Sequence, residues 1–432
     1  MRSTLAAAGL LALGFAPLFA EEKAPPAPSP SVDALVEQLA NPSFRVREAA
    51  AKALEDRGES SLAELRKAFA GSSNAETRRR LQGLISNMER TLALAPKRVT
   101  LKVKDQPVME VIAALSKQTG YRIQYNANQG LRLTLNLENV TFWEAMDRIC
   151  VDSGLMLQHN EGQQIMLYQQ DQVWPYVNYQ GPFKVMANSF HYNRNITLGG
   201  LQRNQANNVN RSDSLSFTFN IQSEPKLPIM QVSQAKLTEV YDENGRSMKV
   251  PNSDVHQSQY FHHGYRTYNQ SSSVQLAWPN KETKAVKLLK GTIPVTVLAF
   301  QKPEIVVEDV LKVKNKKFAG PNVELQIDEV KENNKTSYQV KMAVRNLAPN
   351  AAQDYSWTNS VHQRIELYDA KGNRLFPQGY NWENSTPANV QATFMFGTNG
   401  DATIGAPARL VYNHWGMIQT QVDFEFRDLP LP

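Results

Sequence analysis

The chain has 432 residues and is 41% hydrophobic, which suits a globular protein of several domains and excludes a wholly disordered one. Its net charge of +6 is mild for this length and does not by itself point to nucleic acid or an anionic membrane. The single cysteine, Cys150, excludes an intramolecular disulfide framework and a thiolate zinc cluster, and reads as a reduced core thiol. Met1-Arg-Ser is a short positive region, followed by an apolar run, Leu5–Phe19, too short to favour a membrane span. Ala20 before Glu21-Glu-Lys marks a cleavage point. Residues 1–20 are therefore expected to be a signal peptide and the remainder to be exported, with no transmembrane span after its removal. This makes nucleic acid an unfavoured partner. Residues 21–31 are Pro-rich and read as an extended linker.

Residues 32–94 form a helical block. Val32–Leu39, Ser43–Asp56, Leu62–Ala70 and Asn74–Leu92 show helical spacing, punctuated by Asn41-Pro42 and Gly71-Ser-Ser. The stretch Ser43-Phe-Arg-Val-Arg-Glu-Ala-Ala resembles a HEAT-like repeat, and Asn74-Ala-Glu-Thr-Arg-Arg-Arg-Leu resembles a second copy. Two helical pairs are fewer than a solenoid normally needs to bury its own core, so the block should lean on a neighbour. Arg78, Arg79 and Arg80, with Arg66 and Lys67 nearby, make a short basic cluster. A solvated helix face is the ordinary reading, and a docking site for an acidic partner is the functional one.

Residues 97–170 say the same thing twice. Arg98-Val-Thr-Leu-Lys-Val and Arg132-Leu-Thr-Leu-Asn-Leu stand 34 residues apart (132 − 98 = 34), and the offset holds without a gap through Gly120 and Gly154 to Asn126 and Asn160. Each half alternates as a strand, continues at helical spacing (Val108, Val111, Ile112, Leu115; Phe142, Ala145, Met146, Ile149), stops at glycine and resumes as a strand. Gln164–Tyr168 reads as a further strand. The expected product is a compact α+β domain of two βαβ-like units. Val99-Thr-Leu-Lys-Val-Lys-Asp-Gln-Pro-Val, Thr119-Gly-Tyr-Arg-Ile and Leu133-Thr-Leu-Asn-Leu-Glu-Asn-Val-Thr-Phe-Trp-Glu-Ala-Met resemble the short N-terminal (STN) domain of secretins and TonB-dependent receptors. That resemblance implies a bacterial periplasmic module that docks on other envelope proteins and carries no active site. The chain departs from the family pattern at Phe142-Trp143.

Beyond Tyr168, helical periodicity gives way to short candidate strands separated by turn signals. The reading is two all-β, sandwich-like domains, 173–300 and 301–432, with their boundary near Gln301–Glu308. Tyr241-Asp-Glu-Asn-Gly and Tyr368-Asp-Ala-Lys-Gly suggest that one sandwich duplicates the other. Asn195–Asp213 reads as a mobile surface loop.

Three features invite a chemical reading. Asp254, His256, His262 and His263 could supply metal ligands, but no zinc signature frames them, and no metal site or other cofactor is assigned. Tyr260, Phe261, Tyr265 and Tyr268 crowd one loop, with Tyr176, Tyr179 and Tyr192 upstream, and form a candidate glycan-contact surface. No nucleophile elbow or carboxylate pair appears, so no catalytic residue is assigned. The expected function is that of a non-enzymatic envelope protein binding a protein partner through its STN-like and HEAT-like modules, linked to secretion or outer-membrane transport. A carbohydrate- or peptidoglycan-binding protein is the alternative, and an unrecognised hydrolase or metalloenzyme the third reading.

Overall fold

The structure, a computed structural model, describes residues 30–160, 164–170, 172–197, 210–250, 261–278, 282–348 and 355–431. It is a mixed α+β chain with several sheets, and it divides into two units, Met1–Glu89 and Arg90–Pro432.

Helices α1 (Val32–Gln38), α2 (Phe44–Asp56), α3 (Glu59–Gly71) and α4 (Ala75–Leu94) occupy the four stretches of helical spacing. Ser31 caps α1, its hydroxyl oxygen accepting from the Ala34 N–H. The Asn74 side-chain oxygen accepts from Glu76 and Thr77 at the start of α4. Such caps satisfy donors that a first helical turn leaves without partners. Leu35, Leu54, Leu65, Leu81 and Met88 are buried, each on the apolar stripe of its helix. Among the described residues, no helix is long and apolar enough to cross a membrane.

The repeat of 34 residues becomes β1 (Arg98–Pro107), α5 (Val108–Thr119) and β2 (Arg122–Asn126), then β3 (Arg132–Thr141), α6 (Phe142–Ser153) and β4 (Leu155–Asn160), followed by β5 (Gln164–Gln169). The order within each half is as expected, but strands do not pair within a half. β1 pairs antiparallel with β3, while β2 and β4 flank β5 in a second sheet. Each helix carries the chain from one sheet to the other, so the halves interlock and are not βαβ-like units. The β1–β3 register is symmetric about Lys102↔Asn136, running from Arg98↔Thr141 to Pro107↔Arg132.

The repeated residues have matching tasks in this ribbon. Asp105 and Asn139, one in each strand, adopt positive φ of 48° and 51° at matching bulges, a region these residues tolerate better than most. Asp105 N–H donates to Thr134 Oγ1 at 2.9 Å, and Asn139 N–H to Thr100 Oγ1 at 3.1 Å. Arg98 donates to the Asn139 carbonyl and Arg132 to that of Asp105. Gly120 and Gly154 end the two helices in the left-handed conformation. Ile112, Leu115, Met146 and Ile149 all point into the core of this domain.

The β half opens with β6 (Val177–Gln180), β7 (Phe183–Thr197), β8 (Asn210–Ser223), β9 (Ile229–Val232) and β10 (Lys236–Asp242). β11 (Phe261–Thr267), β12 (Asn269–Leu276), β13 (Ala285–Glu308), β14 (Lys314–Ala319), β15 (Val323–Asn334) and β16 (Ser337–Asn346) follow. After α7 (Tyr355–Arg364) come β17 (Ile365–Asp369), β18 (Phe376–Thr386), β19 (Asn389–Gly397) and β20 (Pro407–Pro430). The two outer sheets, β12-β8-β7-β6 and β14-β15-β16-β19-β18, lie against one shared sheet in which β13 and β20 are central. Asn195–Thr197 and Asn210–Asp213, expected in a loop, are instead paired strand ends of β7 and β8.

Strands β13 and β20 are each 24 residues long and pair from Ala285↔Pro430 to Glu308↔Arg409. Together they serve two cores. Val295, Phe424 and Phe426 join Phe217 and Phe219 in the first; Val307, Leu410 and Tyr412 join Leu325 and Phe394 in the second. The boundary expected near Gln301–Glu308 therefore lies inside a continuous strand, and the end of the chain belongs to the first core. At the centre Phe300 faces Gly416. A Cβ on Gly416 would meet the Phe300 ring at 2.1 Å, so any larger residue there would have to displace that partly exposed ring. The two Tyr-Asp-x-x-Gly turns are equivalent: Asp242 accepts from the N–H groups of Asn244 and Arg246, Asp369 from those of Lys371 and Asn373.

Candidate functional site

The duplicated domain meets the first sandwich through groups on α6 and the β6–β7 hairpin. Trp143 and Asp147 are four residues apart, hence on one helix face. Trp143 is fully buried, and its Nε1–H donates to the Pro182 carbonyl at 3.1 Å. Asp147 accepts from Lys184 Nζ at 2.5 Å and from the Tyr179 hydroxyl at 2.7 Å. Lys184 is only 6% exposed, so this ion pair is largely screened from water. Burial, and then the Asp147 carboxylate, raise the Tyr179 hydroxyl above its ordinary range. Cys150, nearby on α6, is pushed up to about 12, first by burial and then by Asp147, which leaves it an inert thiol.

A fully buried carboxylate also joins the two partners. Glu224, which follows β8, is fully buried and accepts from the Tyr121 hydroxyl at 2.6 Å and the Lys97 N–H at 3.0 Å. Burial raises its pKa, against the opposing pull of Tyr121, Lys226 and Lys97. Lys226 Nζ donates to the Ala95 carbonyl. Neither Glu224 nor Trp143 was singled out as an interface residue from the sequence. The one available signal was Trp143 itself, a bulky aromatic at a helix start.

His159 lies between the two partners. Its ring stacks on Tyr268 at 5.4 Å and meets Trp143 edge-on at 5.7 Å. Both ring nitrogens are buried and have no hydrogen-bond partner among the described residues. Burial, with the Lys184 charge second, lowers its pKa from 6.5 to about 4. The neutral ring is thus favoured in the folded state. Its stabilising contribution is complete above pH 6.5 and is lost as pH falls through about 4. Unfolding free energies at pH 7 and pH 4 are expected to differ less in His159→Phe than in the native chain, by on the order of 3 kcal/mol. Equal differences in the two proteins would contradict this placement of the ring.

The residues singled out from the sequence are not gathered into one site. Arg78 lies over the Phe69 ring at 4.8 Å, Arg80 pairs with Glu76 at 2.6 Å, and Arg79 is exposed. Tyr268 is 4% exposed and packed on His159, so it offers no face to a sugar. Tyr179 is spent on Asp147, whereas Tyr192 is exposed and meets Trp278 edge-on. Tyr260, Asp254 and His256, and the side chains of Phe261, His262, His263 and Tyr265, lie outside the described residues.

The β1–β3 ribbon has two outer edges, and they differ. Gln118 covers the first: its Nε2 donates to the Thr100 carbonyl at 2.9 Å, and its Oε1 accepts from the Thr100 N–H at 3.0 Å. The residue 34 positions on is Asp152, which pairs with Arg148 at 2.7 Å instead. Thr134, the counterpart of Thr100, has no such cover on its main chain among the described residues. Main-chain groups alternate in direction along a strand, so Asn136 presents its N–H and C=O on that same uncovered edge.

No family model matches the chain, and no curated protein matches it. Among solved structures, the crystal structure of a conserved domain protein from Bacillus anthracis is similar at 10% identity and a TM-score of 0.15, over 57% of this chain and 89% of that one.

Proposed function

We propose that the protein is an exported, non-enzymatic component of a bacterial cell envelope that captures a protein partner by strand addition to the β3 edge of its STN-like domain. The observation that supports this is the asymmetry of the ribbon: one edge is closed by Gln118, whereas the counterpart on the other is the ion-paired Asp152, and that edge has no such cover among the described residues. Strand addition draws affinity from main-chain hydrogen bonds and selectivity from alternate side chains. Trp143, Asp147 and Tyr121 tie the domain to the first sandwich, which can then serve as its mount. Arg78, Arg79 and Arg80 on the HEAT-like block add positive charge that speeds encounter with an acidic partner more than it holds the complex.

Proline at an edge position removes an outward N–H and is tolerated there. Asn136→Pro in the full exported chain is expected to abolish capture of the partner from envelope extract. Lys102→Pro, at the mirror position on the covered edge, is expected to leave capture intact. Equal loss in both, or in neither, with both proteins folded by circular dichroism, would overturn the strand-addition reading.

A further inference from the structure

Trp415 sits where β20 passes from one core to the other, packed with Met230 and Leu298. It is 4% exposed, and its Nε1–H is buried with no acceptor among the described residues. Two guanidinium groups face its ring, with Cζ of Arg364 at 4.5 Å and Cζ of Arg266 at 4.7 Å from the ring centre. Arg364, the last residue of α7, is 6% exposed and donates from Nε to Ser360 Oγ at 3.0 Å. Arg266, on β11, donates from Nη2 to Gln301 Oε1 at 2.8 Å and to the Gln363 carbonyl at 3.2 Å. Its Nε–H is also buried and also lacks an acceptor.

The Glu366 carboxylate acts on Arg266, and Glu304 acts on the neighbouring Tyr412 and His414; both carboxylates are engaged elsewhere. Glu366 accepts from Asn413 Nδ2 at 2.9 Å and the Tyr368 hydroxyl at 2.9 Å, and pairs with Arg374 at 3.3 Å. Glu304 accepts from the Asn322 N–H at 2.6 Å and faces His414 Nδ1 at 3.5 Å. Among the described residues, Arg266 makes no ion pair. Stacking on an indole offsets part of the cost of burying a guanidinium, but it gives no acceptor to an N–H. Two buried donors without a protein acceptor among the described residues therefore sit beside the Arg266 guanidinium, an arrangement that favours an incoming negative oxygen.

We infer that the Arg266–Trp415–Arg364 cluster binds a small oxyanion, a phosphate or carboxylate group, at the junction of the two sandwiches, with Arg266 Nε–H and Trp415 Nε1–H as its donors. Guanidinium forks match the geometry of such groups, and the low local dielectric strengthens the contact. Gln301 and Gln363, which hold Arg266, belong to β13 and α7, so the bound anion ties the first sandwich to the second. It therefore raises the stability of their junction by mass action.

The test is titration of the full chain with sodium phosphate, sulfate or acetate against sodium chloride at matched ionic strength, followed by tryptophan fluorescence and melting temperature. A saturable fluorescence change and a rising melting temperature with an oxyanion, absent with chloride, are expected. The phosphate and acetate arms separate a phosphoryl ligand from a carboxylate one. Arg266→Gln is expected to weaken binding at least about tenfold, since it removes a charge-assisted contact. Trp415→Phe keeps a ring facing the guanidiniums but removes one donor, and is expected to weaken binding several-fold. Its melting-temperature shift carries the test if Arg266→Gln does not fold. A response equal to that of chloride, or unchanged affinity in Trp415→Phe, would overturn the assignment and leave the donors to water.

Discussion

A chain ending after Gly416 is expected to lose its first sandwich while keeping the second. The residues removed include Val422, Phe424, Phe426 and Leu429, all buried in the first core. Their loss also strips Ala285–Leu298 of its hydrogen-bonded neighbour in the shared sheet. Leu410 and Tyr412, the contribution of β20 to the second core, remain. A single substitution reports the same dependence. Phe424 is 2% exposed and packs against Phe219 and Phe426 at ring separations of 5.4 and 5.8 Å. Phe424→Ala is expected to cost about 3–5 kcal/mol, the transfer energy of the ring plus the cavity left behind. Limited proteolysis of the truncated chain should degrade the region around β7 and β8 and spare that around β15, β16 and β19. Protection of both regions would mean that the end of the chain is not part of the first core.

Asp147→Ala is expected to be nearly as damaging, though it removes a far smaller group. The Lys184 side chain is 7% exposed and has Asp147 as its ion-pair partner. Taking away one member of a buried pair leaves the other charged and desolvated, at a cost of about 3–5 kcal/mol. The Tyr179 hydroxyl loses its acceptor in the same step. Asp147→Leu combined with Lys184→Met should recover most of that loss, because the pair is weakly favourable against an apolar replacement of similar volume. Chemical unfolding of both variants decides the matter. A change of less than about 1 kcal/mol in Asp147→Ala, within the range typical of an exposed pair, would mean that water reaches the seam.

The contrast between these two regions shows where the sequence is informative. The helices of the first block and the strand–helix–strand halves of the duplicated domain were legible because their signals are local. Apolar spacing and the stops at Gly120 and Gly154 each act within a turn or two. The Tyr-Asp-x-x-Gly turns were legible for the same reason: the Asp242 and Asp369 carboxylates bond to N–H groups two and four residues on. α7 was not legible. Trp357 and Val361 mark its buried face in an otherwise polar stretch, and its place is set by the sheets it covers.

The sequence by itself determined the helices of the first block and the repeated strand–helix–strand halves of the duplicated domain, since an offset of 34 residues is a property of the chain alone. Only the tertiary structure decided which strands pair. β1 and β2 are consecutive strands of one half, yet each finds its partner elsewhere, because a strand's hydrogen bonds do not depend on how far along the chain the partner lies. The same holds for β20, whose alternation marks a buried strand but not which of two cores its ends enter. It holds as well for Trp143, Asp147, Glu224, His159, Arg266 and Trp415. Their burial and charge environment arise from residues tens to hundreds of positions away, brought together only by packing that no local pattern encodes.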